Sequence, residues 1–276
     1  MPAPPALSED PDFDTERSGH AVAPPSTSRR RVPEATLAAL WRGSELGTQV
    51  VSVVASGWKA LDQELPGQGW PCQSLTEILT PQPSVLEWRL LGPALRRVVA
   101  AGVQVLLVAP PKQPYLPGLV HEGLDQRHLV WIQADTPAHR LWVTEQLIKS
   151  NAAGAVIAWL PQARQEQIRR LQVHAQGCDG LVFLCRPEAA QHEASAAPLR
   201  LHARYGLDWQ LHIHIVKRRG PVRTGLLHLP SVPGGLSSIL TPRLMHPSRW
   251  AAPCESADAV GRLAPRRHIP RPVAAH

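Results

Sequence analysis

From residue 84 to residue 186 the chain switches between two periods. Apolar residues recur every three or four positions in 84–101, 137–150 and 163–176, the spacing of helices that bury one face. Between these lie short, nearly continuous apolar runs: VQVLLVA (103–109), HLVWIQA (128–134), GAVIAWL (154–160) and GLVFLCR (180–186). Strands that are apolar on both faces need a sheet covered on both sides. The alternation therefore predicts an α/β fold with a mostly parallel sheet flanked by helices. Upstream, the pattern predicts a helix over 34–42 and a small strand near 50–54. The segment SGWKALDQELPGQGWPCQSLTEIL (56–79) then reads as a short helix, a Gly-rich turn and a strand. A Pro-rich loop, PPKQPYLPG, and a short helix follow the second core strand. From Pro198 the period falls to two. LRLHARYG, LDWQLHIHIVKRRG and VRTGLLHLP alternate apolar and polar residues, which predicts an antiparallel extension at one edge of the sheet.

The two ends have a different character. Residues 1–33 are rich in Pro, Ser and acids, and 237–276 carry six arginines against two acids; neither stretch can bury enough apolar surface to fold alone. Disordered tails are expected on either side of a single domain spanning 34–236. No run approaches the length of a membrane span, and the first twenty residues have acids where a signal peptide needs a basic start and an apolar stretch. A cytoplasmic protein is expected. Cys72, Cys178, Cys185 and Cys254 form no C-x-x-C pair, which argues against a zinc ribbon or a disulfide framework. A net charge of +7 is compatible with a polyanionic partner, and equally with an Ala-, Pro- and Arg-rich composition.

The stretch SLTEILTPQPSVLEWRLLGPAL (74–95) has the strand, turn and helix of a phosphate-binding loop. Such a loop needs glycines, so that backbone N–H groups can approach the phosphates, and a lysine to meet their charge. The turn here is Thr80, Pro81, Gln82, Pro83 and Ser84, without glycine or lysine, and its two prolines lack N–H donors. The position reads as a degenerate phosphate loop with no cofactor, Ser84 capping the following helix. Glu77 reads as a strand-end residue that fixes local packing.

Ser56-Gly57, Leu61-Asp62, Leu65-Pro66-Gly67 with Gly69, and Glu77 lead into this turn in an order that resembles the core of RecA recombinases. A closer resemblance, covering about residues 37–230, is carried by WRGSEL (41–46), GWKALDQELPGQGWPCQSLTEIL (57–79), VAPPKQPYLPGLVHEGLD (108–125), QLIKSNAAGAVIAW (146–159), RRLQVHAQ (169–176) and IVKRRGP (215–221). Together these segments are similar to ImuA, a group also described as SulA-like or RecA-like. That resemblance implies a non-catalytic accessory factor of SOS-induced, error-prone translesion DNA synthesis. Its implied partners are an ImuB-type polymerase-like protein and a DnaE-type error-prone polymerase, with RecA and DNA as further candidates. The alternative is a SulA-type cell division inhibitor that binds FtsZ. In a RecA-type ATPase the strand 103–109 would end in a water-positioning glutamate, and 154–160 in a magnesium-holding aspartate. Here the first runs into PPKQPY, with Lys112, and the second has Trp159. No ATPase is expected.

Other residues stand out. Lys217, Arg218, Arg219 and Arg223 form a basic cluster on a turn, either a DNA or partner contact or a solvated hairpin end; Arg243, Arg249, Arg262, Arg266 and Arg267 would extend it. Trp41, Trp58, Trp70 and Trp250 are candidate partner anchors, with packing the alternative for the first three, whereas Trp88, Trp142 and Trp159 are expected in the core. His202, His212, His214 and His228 fall on neighbouring strands but lack the acids or cysteines of a zinc site, and solvated histidines are expected. No G-x-S-x-G elbow supports hydrolase chemistry.

Overall fold

A computed structural model describes residues 52–220, 225–233 and 236–249. The expected helix 34–42, Trp41, Arg223, Trp250, Cys254, Arg262, Arg266, Arg267 and most of both tails lie outside the described residues.

The chain begins with a two-residue strand β1 (Val53–Val54), a single-turn helix α1 (Lys59–Asp62) and β2 (Trp70–Pro71), with β1 and β2 paired antiparallel. Ser56 and Asp62 tie this segment into one unit. The Asp62 carboxylate accepts from the Ser56 N–H at 2.8 Å, and the Ser56 hydroxyl accepts from the Trp58 N–H at 3.0 Å. Gly57, with φ at 87°, lies so close to Pro93 that an added Cβ would stand 2.3 Å from the Pro93 Cβ. Only a residue without a side chain fits there.

The main sheet follows: β3 (Leu75–Thr80), α2 (Leu86–Ala100), β4 (Val105–Val108), α3 (Leu116–His121), β5 (Leu129–Ile132), α4 (Pro137–Ser150), β6 (Ala155–Trp159), α5 (Gln165–Ala175) and β7 (Leu181–Pro187). A 3-10 strap over Glu188–His192 leads to β8 (Leu199–Tyr205), β9 (Gln210–Lys217) and β10 (Leu226–Pro230). The eight strands lie in the order β10-β9-β8-β3-β7-β6-β4-β5. From β8 to β5 every neighbouring pair is parallel, while β9 runs antiparallel to both β8 and β10. The expected α/β class, mostly parallel sheet and antiparallel edge extension are all present. β3 sits in the middle, so the turn after it opens at the carboxyl end of the central strands, where ligand crevices form in α/β sheets.

Two apolar layers hold the sheet. On one face α2 buries Leu86, Leu90, Leu91, Ala94 and Leu95 against Ile78, Ile157, Phe183 and Ile213; on the other, Ile148, Ile168 and Leu171 of α4 and α5 meet Leu75, Val156 and Leu184. Each fully buried leucine contributes about 2 kcal/mol of transfer free energy. Local signals set the helix ends. The Thr136 hydroxyl accepts from the His139 N–H at 3.2 Å at the start of α4, Pro137 follows as its first residue, and Asn151 ends it in the left-handed region at φ 49°. After β10, residues 236–249 contain α6 (Pro242–Met245) and lie against the β8–β9 turn, where the Trp209 indole donates to the Leu244 carbonyl at 2.8 Å. Among the described residues, no helix is long and apolar enough to cross a membrane.

Candidate functional site

At the end of β3 the chain makes the turn that a phosphate loop would occupy. Thr80 is fully buried, Pro81, Gln82 and Pro83 project into solvent, and Ser84 swings the chain into α2 with a φ of 64°. From the first turn of α2 the Glu87 side chain reaches back into the hollow. Its carboxylate accepts from the Ser84 N–H at 3.1 Å, the Val85 N–H at 3.0 Å, the Thr80 hydroxyl at 3.3 Å and the Trp159 indole N–H at 3.1 Å. Glu87 is only 1% exposed. A helix N-terminus offers unpaired N–H groups and the positive end of its dipole, and anions settle there. In this chain the anion at that position is a carboxylate of the helix itself.

One sequence expectation changes here. Ser84 does not cap α2: its hydroxyl is buried without a hydrogen-bond partner, and the Glu87 carboxylate instead takes the backbone N–H groups of Ser84 and Val85. Glu87 was not singled out from the sequence, although Ser84-x-x-Glu87 is the S-x-x-E spacing of a capping box. Only the glutamate half of that box forms. Trp159, at the position implied for a magnesium ligand, ends β6 as a donor to Glu87, and its ring packs against Trp88 with centroids 6.2 Å apart. Beneath them the Cys185 thiol is held well above its ordinary pKa, first by burial and then by the nearby Glu87 carboxylate. Lys112 is exposed in the loop after β4.

Glu77 lies within β3 rather than at its end, and it is fully buried. It accepts from Arg186 of β7 at 3.0 Å and from Arg200 of β8 at 2.6 Å. Arg186 also meets Glu193 at 2.6 Å, and Arg200 donates to the Ala190 carbonyl at 2.8 Å. The pair of arginines thus anchors the 188–193 strap across three strands. The packing role expected of Glu77 is electrostatic and spans the centre of the sheet.

The basic turn lies at the other end of the sheet. Lys217 pairs with Arg200 near the start of β8, whereas the Thr80–Ser84 turn lies where β3 ends. Lys217 donates to the Ser195 carbonyl at 2.9 Å, Arg218 to the backbone and carboxylate of Glu64, and Arg219 is exposed. Two of the expected contact residues are therefore engaged within the fold. Of the candidate anchors, Trp70 is fully buried edge-on to Phe183, with centroids 5.3 Å apart, so no partner can reach it. Trp58 packs on the core and donates to the Leu90 carbonyl at 2.8 Å. Trp142, expected in the core, is 57% exposed because it falls on the outer face of α4, beside His139. The four histidines come together on one face of β8–β10. Among the described residues no group of three or more His, Cys, Asp or Glu is placed to hold a metal ion. Cys72 and Cys178 are buried with free thiols, and burial pushes both pKa values up.

No family model matches the chain. It is similar to the Cell division inhibitor SulA of Photorhabdus laumondii subsp. laumondii, at 28% identity over 112 residues, 41% of this chain and 63% of the relative. The chain thus spans about 63% of that relative's length. The similarity falls on the SulA-like side of the resemblance and does not reach ImuA.

Proposed function

We propose that the protein is a non-enzymatic, RecA-like adaptor of the SOS response to DNA damage, acting in the cytoplasm through contacts with other proteins. The observation that carries this reading is the Glu87 carboxylate, buried at the phosphate position and bound by the donors that a phosphate would need. A γ-phosphate placed there would meet a fixed negative charge, and Pro81 and Pro83 supply no N–H groups to offset it. The resemblance to ImuA adds the context of error-prone translesion synthesis. The partners are then an ImuB-type polymerase-like protein and a DnaE-type polymerase, with RecA and DNA as secondary ones.

A second reading, division inhibition through FtsZ, is favoured by the similarity to SulA. Affinity purification of the tagged protein from cells treated with a DNA-damaging agent separates the two. A polymerase-like protein and a DnaE-type subunit among the co-purifying proteins support the adaptor of translesion synthesis, whereas FtsZ without them supports the inhibitor. Titration with a fluorescent ATP analogue tests the non-enzymatic part. No binding is expected, and micromolar, magnesium-dependent binding would overturn the reading.

A further inference from the structure

The antiparallel extension has one buried face and one open face. Along β9, Leu211, Ile213 and Ile215 are buried, while His212 and His214 between them are half-buried; along β10, Leu227 and Leu229 are buried, while Leu226 and His228 are exposed. The register gathers the open face into two rows. His202 stands opposite His214, which stands opposite Leu226, and Arg204 stands opposite His212, which stands opposite His228. The His212 and His228 rings meet edge to face with centroids 4.5 Å apart. A depression of about 360 Å³ opens among Gln191, His202, Arg204, His212, His214 and Leu226.

The titratable groups facing this depression are mostly bases. The carboxylate present is Glu188 of the strap, which holds His202 at 3.1 Å and Arg204 at 3.1 Å. The other polar neighbours, Gln191 and Gln210, are uncharged, and Gln210 meets His228 at 3.2 Å. Four imidazoles and a guanidinium thus share a single acid among the described residues.

We propose that this face is a docking surface for an extended acidic segment of a protein partner, whose carboxylates pair with Arg204, His212 and His214. Once the imidazoles are protonated, charge complementarity selects the sign of the occupant, and the strand repeat selects its form. Side chains on one face of a strand recur at about 6.7 Å, the spacing of alternate side chains in an extended peptide. No Trp, Tyr or Phe lines the depression. Burial lowers the proton affinity of His202 and His212; Arg204 and His214 lower it further at His202, and His228 at His212, against an opposing pull of Glu188 on His202. Both rings are therefore neutral near neutrality, and a docked carboxylate favours their protonation. Binding strengthens as the pH falls. The surface is separate from the turn at Glu87, so its failure would leave the adaptor reading intact.

The test is fluorescence anisotropy of a fluorescein-labelled peptide of alternating Glu and Thr, titrated with the full chain at about pH 8 and about pH 6. Tighter binding at the lower pH is expected. His212→Gln with His214→Gln, which keeps polar side chains at two half-buried positions, is expected to weaken binding roughly fivefold at the lower pH. Glu188→Gln, which releases Arg204 and His202, is expected to tighten it about threefold. Peptide binding that ignores both pH and the histidine pair overturns the proposal. So does weaker binding by the Glu188→Gln variant, or a single-stranded oligonucleotide that binds through the same histidines while the peptide does not.

Discussion

Removing the Glu87 carboxylate leaves two backbone N–H groups, a threonine hydroxyl and an indole N–H in a buried hollow without their acceptor. Unsatisfied buried donors cost about 1–3 kcal/mol each before relaxation. Glu87→Ala is therefore expected to lose about 3–5 kcal/mol of unfolding free energy, read from the urea midpoint at constant slope. Formate added to that variant supplies a carboxylate of the right size for the same donors. It is expected to raise the variant's midpoint and leave that of the unsubstituted protein unchanged; equal effects on both would show that the donors do not form an anion site. The residue was legible in part. Ser84-x-x-Glu87 advertises a helix start, but the donors from Thr80 and from Trp159, a residue 72 positions away, arrive only through the sheet.

At the scale of elements, the approach of the β1–α1 segment to α2 depends on Gly57. Alanine there would keep a φ of 87° that side chains disfavour and would drive its Cβ into Pro93. Gly57→Ala is expected to destabilise the protein by about 2 kcal/mol or more, measured as a lowered melting temperature. The join between α4 and β7 is polar instead. Asp179 accepts from Asn151 at 2.8 Å and from Gln73 at 3.4 Å, and these bonds hold its pKa below the ordinary carboxylate value. A lowered folded pKa adds stability that is complete above the ordinary value and is lost as the pH falls through the lowered one. Asp179→Asn is thus expected to flatten the dependence of stability on pH below about pH 4, checked by urea unfolding across an acid series. The periodicity located α4 from its first residue to its last, because Thr136, Pro137 and Asn151 punctuate it locally. It extended β4 and β5 beyond their ends, by Val103, Gln104 and Ala109 and by His128, Gln133 and Ala134, since nothing local marks where the pairing stops.

Across the whole molecule, β3 joins both its parallel neighbours through Glu77, and the two arginines it serves are 98% and 94% buried on their side chains. Breaking a buried ion pair by deleting one partner typically costs about 3–5 kcal/mol. Glu77→Leu is expected to fall in that range by chemical denaturation and to loosen the 188–193 strap, seen as faster amide exchange there. An unchanged exchange rate would show that the arginines hold the strap through its carbonyls alone. Much was readable in the sequence by itself: the α/β class, the parallel core and the antiparallel extension. These depend on periodicity and residue type, which act over a few positions. Only the tertiary structure decided that β3 lies between β7 and β8, that Glu87 fills the hollow after it, that Arg218 turns inward to Glu64 and that Trp70 is sealed in the core. Each of those outcomes joins residues far apart in the chain, and a local pattern carries no information on which distant donor, charge or ring will meet them.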